Sequence, residues 1–221
     1  MNRYEKKYKT NEIYLPQILS LIKINPAGFS EVYKERVVNS IYFDSYNFQL
    51  YNDSIDGSLK RTKLRIRWYD NEKIINSFLE IKKKVGDRGD KFRYNLNPIK
   101  CDKEISRDYL NDLLKESNIE DKNLLNNFGY YNPIFICSYK RKYYLSSNKQ
   151  IRLTVDYQIS YASFSYQDSL SNLNKFYDSS LVLEYKYPYY LNSNFFISEN
   201  ILNLRRTRFS KFSNGIEILY G

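Results

Sequence analysis

Apolar and polar residues alternate along much of this chain with the period of two that marks β-strands, not the 3.6-residue period of helices. The pattern is sharpest in KRTKLRIRWY, where Lys63, Arg65 and Arg67 alternate with Leu64, Ile66 and Trp68. Such runs predict strands over 3–9, 37–43, 59–69, 77–85, 91–96, 134–145, 151–157, 159–166 and 181–187. Apolar residues at helical spacing predict a helix over 12–23, through Ile13, Leu15, Ile18, Leu19 and Ile22, with its regular part starting near Pro16. A second helix is predicted over 106–117, with Tyr109, Leu110, Leu113 and Leu114 on one side. Segments 46–53, 121–128, 194–204 and 209–219 read as further helices, 70–71 and 86–90 as turns, and 167–178 as a polar loop. No internal repeat or domain boundary stands out, so one domain over 1–221 is expected.

Sorting strand residues by face gives a recurring result. Phe78, Glu80, Lys82 and Lys84 share one face, as do Lys91 and Arg93. Tyr139, Arg141 and Tyr143 form another set, then Arg152, Thr154 and Asp156, then Val182, Glu184 and Lys186. The opposite faces of the last two sets are apolar: Ile151, Leu153 and Val155, and Leu181, Leu183 and Tyr185. For any one strand, a solvated face with stray ion pairs is the commoner reading. Jointly, the apolar faces need a cover, and the helices can supply it. An α+β fold is therefore expected: a closed antiparallel β-barrel with helices packed outside and charged residues within. A strongly positive lumen is costly without a polyanion to fill it.

Charge and composition narrow the chemistry. The 221 residues carry a formal net charge of +10 and include no histidine, which removes the commonest general base and transition-metal ligand. Cys101 and Cys137 form no spacing motif, so neither a disulfide framework nor a zinc site is supported. No apolar run is long enough for a membrane helix, and MNRYEKKYKT lacks the apolar stretch of a signal peptide, so a soluble cytoplasmic protein is expected. Net positive charge and 24 tyrosines suit nucleic-acid binding too, but the cations alternate within strands and form no exposed stripe, so no nucleic-acid partner is expected.

The ordered series RYEKKY, IYFDS, LRIRWY, FLEIKKK, KFR, YKRKYY, IRLTVDY, LEYKY and RFSKFS runs from residue 3 to about 215. Together these segments resemble the VTC-domain polyphosphate polymerases, within the triphosphate tunnel metalloenzyme (CYTH-like) superfamily. The resemblance implies a barrel whose tunnel binds triphosphate or polyphosphate with Mn²⁺ or Mg²⁺. It implies a catalytic set of Arg65, Arg67, Lys82, Arg141, Arg152 and Lys211, and further phosphate contacts from Lys7, Arg93, Tyr139, Arg208 and Ser210. Lys91 is the alternative to Arg93, and Arg208 stands where the family often has Lys, which keeps the charge and changes the reach. Glu184 is implied as the metal ligand. Many tunnel triphosphatases begin with two alternating glutamates before a lysine; here Glu5 precedes Lys7, but Arg3 stands at the first position. That departure favours the polymerase branch, with ATP as donor and polyphosphate as acceptor. The alternatives are an inorganic triphosphatase or polyphosphatase of the same fold, and a non-enzymatic polyphosphate-binding module.

Among the carboxylates, Asp156 is expected to orient Arg152 or a lysine, with a metal contact through water as the alternative, and Glu80 to pair with Lys82. Lys60, Arg61, Lys83, Lys140 and Lys142 are expected on the outer or rim surface.

Overall fold

The computed structural model describes residues 3–70, 74–86, 88–100, 105–117, 119, 128–165, 170, 173–191 and 204–221. Its elements are β1 (Arg3–Asn11), α1 (Leu15–Lys23), β2 (Ser30–Asp44), α2 (Gln49–Ile55), β3 (Lys60–Tyr69), β4 (Ile74–Ile75), β5 (Phe78–Val85) and β6 (Arg88–Asn95). There follow β7 (Ile99–Lys100), α3 (Arg107–Glu116), β8 (Asn132–Leu145), β9 (Arg152–Ser163), β10 (Phe176–Asp178), β11 (Ser180–Pro188) and, at the C-terminus, α4 (Lys211–Tyr220).

The main sheet runs β1-β11-β9-β8-β2-β3-β5-β6, with β10 also paired to β9; β4 and β7 make a separate ribbon. Every pair whose register is described is antiparallel. The strand path is open, with β1 and β6 at its two ends. The mostly antiparallel sheet is as expected; among the described residues the closed barrel is corrected to an open sheet. Alternation specifies which face a residue takes, but closure depends on the pairing of edge strands, which alternation does not encode.

The chain divides into two compact units. One is drawn from Met1–Val37, Tyr139–Ile159 and Tyr177–Phe209, the other from Val38–Ser138, Ser160–Phe176 and Ser210–Gly221. In the first unit, Ile18 and Ile22 of α1 pack with Phe29 on Leu153, Val155, Leu181, Leu183 and Tyr185, the apolar faces of β9 and β11. Burying each isoleucine stabilises the unit by about 2 kcal/mol. Pro16 is at the start of α1, where its missing N–H costs nothing, and a short 3-10 turn over Glu12–Tyr14 takes up the residues before it.

In the second unit, Ile41, Phe43, Leu64, Ile66, Leu79 and Ile81 form the buried apolar face of β2, β3 and β5. Ser106 caps α3 by accepting from the Tyr109 N–H, and Leu110, Leu113 and Leu114 are buried. The last helix departs from the expected arrangement. In α4, the Phe212 ring lies 5.6 Å from that of Tyr42 and 6.4 Å from that of Phe135. Tyr42 is paired with Arg65 in register, so α4 packs on the charged face of this unit, not on its apolar face. An aromatic residue among cations is the cause: Lys63 sits over the Phe212 ring and donates to Ser210. Gly215 permits this approach, since a Cβ there would meet the Phe135 ring at 2.6 Å.

Other differences are local. The two strands expected over 151–157 and 159–166 are replaced by one, β9, over Arg152–Ser163, in which Gln158 takes a positive φ of 49°. A residue in that conformation breaks the alternation, which is why the pattern reads as two strands. The strand expected over 37–43 extends back to Ser30, through residues that are mostly exposed and so carry no clear pattern. The short helix expected at 46–53 lies over Gln49–Ile55. The helices expected over 121–128 and 194–204 lie almost wholly outside the described residues. Among the described residues, no helix is long and apolar enough to cross a membrane.

Candidate functional site

Each unit carries a group of charged side chains on a strand face that gathers around carboxylates.

In the first unit, the register of β1, β11 and β9 aligns Lys7 with Glu184 and Glu184 with Thr154, and it aligns Glu5 with Lys186 and Lys186 with Arg152. These residues share a face, opposite the apolar face covered by α1. The Glu184 carboxylate is 13% exposed and stands 3.3 Å from the Lys7 ammonium and 2.5 Å from that of Lys186. Glu5 reaches the same two lysines, at 3.3 and 3.8 Å. Burial works against the charge of Glu184, but Lys7, Lys186 and Arg141 outweigh it and hold the carboxyl far below its ordinary pKa. Burial likewise opposes the charge of Lys7, and Glu184 and Glu5 reverse that, raising its pKa.

Asp156 is 2% exposed and accepts both the Nε and an Nη of Arg141, at 2.5 and 2.7 Å. The expectation that Asp156 orients Arg152 or a lysine is thus corrected: its partner is on β8, one strand away, and the pair is a bidentate fork. Burial opposes the guanidinium charge of Arg141, but Asp156, then Tyr139, drive its pKa well above the ordinary value. Tyr139 is buried, and Arg141 lies 5.2 Å over its ring. Arg152 and Arg208 are exposed.

In the second unit, β3, β5 and β6 align Lys63 with Lys82 and Lys82 with Lys91, and Arg65 with Glu80 and Glu80 with Arg93. Glu80 is 3% exposed. It accepts Nε and Nη2 of Arg65 at 3.0 and 2.8 Å and Nζ of Lys91 at 2.7 Å. Arg67 and Arg93 stand 3.7 and 3.8 Å from it. Glu80 therefore pairs mainly with Arg65 and Lys91, and no ion pair with Lys82 is found among the described residues. Arg93 is further held by stacking 3.6 Å over the Phe78 ring. Arg67 is buried and donates to Ser40. Ser210 caps α4 and accepts from Lys63 at 2.7 Å. Lys211 begins α4.

The structure thus puts Lys7, Arg152 and Glu184 on one face, with Arg141 tied to it through Asp156, and Arg65, Arg67, Lys82 and Arg93 on another. Sequence reasoning gave no site role to Glu5, Lys63 or Glu80. Strand parity placed Lys63 and Glu80 on the right face, but only the register shows what they hold. Lys83, by contrast, pairs with Thr62 and Asp90 on the other side and lies over the Phe92 ring.

Two consequences are measurable. Inorganic triphosphate should raise the melting temperature of the parent and of Lys83→Ala alike, while Lys82→Ala and Arg152→Ala should lose most of that rise. A charge-assisted hydrogen bond to phosphate contributes roughly 1.5 to 3 kcal/mol. Equal loss in Lys83→Ala would show that the wrong face has been assigned.

The second consequence concerns acid. Burial alone would raise the pKa of Glu80, but Arg65, Arg67 and Lys91 bring it from the usual 4.5 to about 2. A carboxyl whose folded pKa is depressed contributes stability above its unfolded pKa, and loses it as pH falls through the folded value. Glu184 is depressed in the same direction. Stability should therefore decline as pH drops from about 4.5 toward about 2, as seen in thermal melts. Glu80→Gln should flatten part of that decline, and an unchanged slope would remove Glu80 from the linkage.

The donor set bears on a metal. Among the described residues, no three His, Cys, Asp or Glu side chains converge as a ligand cage. Glu5 and Glu184, however, both reach one point, now marked by the Lys7 ammonium, at 3.3 Å. Beside them the Thr154 hydroxyl is buried with no hydrogen-bond partner among the described residues. Two carboxylates fit a hard divalent ion that takes its other ligands from phosphate and water.

A family model described as the VTC domain matches residues 2–220. No curated protein matches the chain. Among solved structures, a Vibrio parahaemolyticus protein described as a candidate adenylate cyclase is similar over 99% of this chain and 98% of its own, with 12% identity and a TM-score of 0.50. A Pyrococcus horikoshii protein is similar over 98% of this chain and 99% of its own, with 12% identity and a TM-score of 0.52. At such identity the likeness is one of fold alone.

Proposed function

Because this chain belongs to the VTC-domain family, we propose that it is a polyphosphate polymerase that transfers the γ-phosphoryl group of ATP to a growing polyphosphate chain, with Mn²⁺ or Mg²⁺ as cofactor. The observation that carries this reading is the paired organisation of the site: strand faces rich in Lys and Arg, whose few carboxylates are each committed to those cations. Phosphoryl transfer needs charge neutralisation and in-line positioning far more than covalent catalysis. Arginine forks suit phosphate oxygens, and lysines add point charges that adapt as the chain advances.

In this mechanism, Arg65, Arg67, Lys82, Arg141, Arg152 and Lys211 bind the oxygens of the reacting phosphates. Lys7, Arg93, Tyr139, Arg208 and Ser210 add contacts that orient donor and acceptor. Glu184, with Glu5, would hold the metal, and a bound divalent ion would neutralise charge developing on the phosphoryl oxygens. The attacking group is a terminal phosphate oxygen of the acceptor chain, which is already anionic near neutral pH. It needs no general base, in keeping with the absence of histidine. ADP leaves as the new phosphoanhydride bond forms.

A hydrolase of the same fold is the second reading. Arg3 weighs against it, since a cation stands where a triphosphatase of the two-glutamate type would have a carboxylate. Incubation with ATP and Mn²⁺ followed by gel electrophoresis of the products separates the readings. A polymerase yields long-chain phosphate and ADP. Orthophosphate alone would favour the hydrolase, and triphosphate binding without any consumption of ATP would favour the binding module.

A further inference from the structure

A buried acid on a surface built to attract anions calls for a reason, because it repels the ligand. Glu80 is such an acid, in β5 on the cation-bearing face of the second unit. Both of its oxygens are used: Oε2 accepts the Arg65 fork, and Oε1 accepts Lys91. Arg65 is gripped from another direction as well, since its Nη1 donates to the Tyr42 hydroxyl at 3.0 Å. Arg67 and Arg93 complete the ring of cations around the one carboxylate. Four like charges on β3 and β6, the two strands that flank β5, would otherwise splay apart, each on a long side chain with many rotamers.

Resting on the polymerase reading, we propose that Glu80 is a positioning residue: it holds the Arg65 guanidinium, and through charge Lys91, Arg67 and Arg93, in the orientation that phosphoryl transfer requires, at the expense of raw anion affinity. Four cations against one carboxylate still leave a strongly positive group, so the anion is attracted, but to a fixed array. The role is indirect, since Glu80 is an acceptor only and has no donor to offer a phosphate oxygen.

This arrangement separates two quantities that a purely structural residue would move together. Removing the charge in Glu80→Gln makes the group more positive, so affinity for inorganic triphosphate should hold or tighten. The Arg65 fork loses its ionised partner, and kcat should fall about a hundredfold, the scale on which small misplacements act. Glu80→Asp keeps the charge and should recover part of kcat.

The test compares the full-length parent, Glu80→Gln and Glu80→Asp. It measures kcat and KM for ATP, the calorimetric Kd for inorganic triphosphate, the melting temperature, and the ¹⁵N-resolved Nε–H signal of Arg65. The expected result is a lower kcat with unchanged or tighter triphosphate binding, a shifted Arg65 signal in Glu80→Gln, and partial rescue by Glu80→Asp. An unchanged kcat in folded Glu80→Gln overturns the proposal, as does a joint fall in kcat and affinity with lost melting temperature. Should Glu80→Gln not fold, Glu80→Asp must show the same split in milder form, and its failure to do so is equally decisive. A parent that consumes no ATP overturns the polymerase reading itself and the positioning role with it. That outcome is seen before any variant is compared, so the two failures are distinguishable.

Discussion

Glu184→Gln should lower turnover of ATP by about a hundredfold or more, while the fold and most triphosphate binding survive. The substitution keeps the volume and removes the negative charge. Three things depend on that charge: the ion pair with Lys7, that with Lys186, and the capacity to ligate a divalent ion. Glu5 still pairs with both lysines, so their positions should be largely kept. A binding step that relies on cations loses little, whereas a transfer step that relies on the metal loses much. Steady-state kinetics across a range of Mn²⁺ concentrations provide the check. Equal turnover of variant and parent at saturating metal would remove Glu184 from the metal role.

The largest stability effect should come from Asp156→Asn. Arg141 is 17% exposed, and its Nε and one Nη both donate to this one carboxylate. Taking the charge away leaves a mostly buried guanidinium without its counter-ion, which costs about 3 to 5 kcal/mol. In a chain of this size, each kcal/mol moves the melting temperature by about 2 to 4 °C. The loss should therefore be visible as a drop of about 10 °C in a thermal melt. The double variant Asp156→Leu with Arg141→Met should regain much of that drop, because an apolar pair needs no charge compensation. It should not regain activity, since Arg141 is assigned to phosphate. A melting temperature unchanged in Asp156→Asn would mean that the fork contributes nothing to the fold.

These two residues illustrate what alternation in the sequence can reveal. The faces of Arg65, Glu80, Lys82, Arg152 and Glu184 follow from parity, because a strand residue has only two directions to point. The helix α1 was legible for a similar reason, through Ile18, Ile22 and the proline at its start. Partnership was not legible. Asp156 shares a strand with Arg152 but spends both oxygens on Arg141 of β8, and Glu80 lies two residues from Lys82 but holds Arg65 and Lys91. Those choices are made by register between strands, a long-range property that no local pattern contains.

The placement of α4 was hidden for a different reason. The helix expected over 209–219 belongs, like the others, among those that cover the apolar faces. In the folded unit Phe212 instead meets Tyr42 and Phe135, with the Lys63 ammonium over its ring, so part of the charged face is itself aromatic. Gln158 hid the continuity of β9, because one residue at positive φ inverts the parity on which the reading depends.

Phosphate should be bound by the cations of these strand faces and not by the many other lysines and arginines of a basic chain. A crystal structure of the protein grown with inorganic triphosphate addresses it directly. Phosphoryl oxygens are expected within hydrogen-bond distance of the face that carries Lys7, Arg141 and Arg152, or of the face that carries Arg65 and Lys82. Triphosphate lying against Lys83, Lys140 or Lys142, with both of those faces bare, would contradict it.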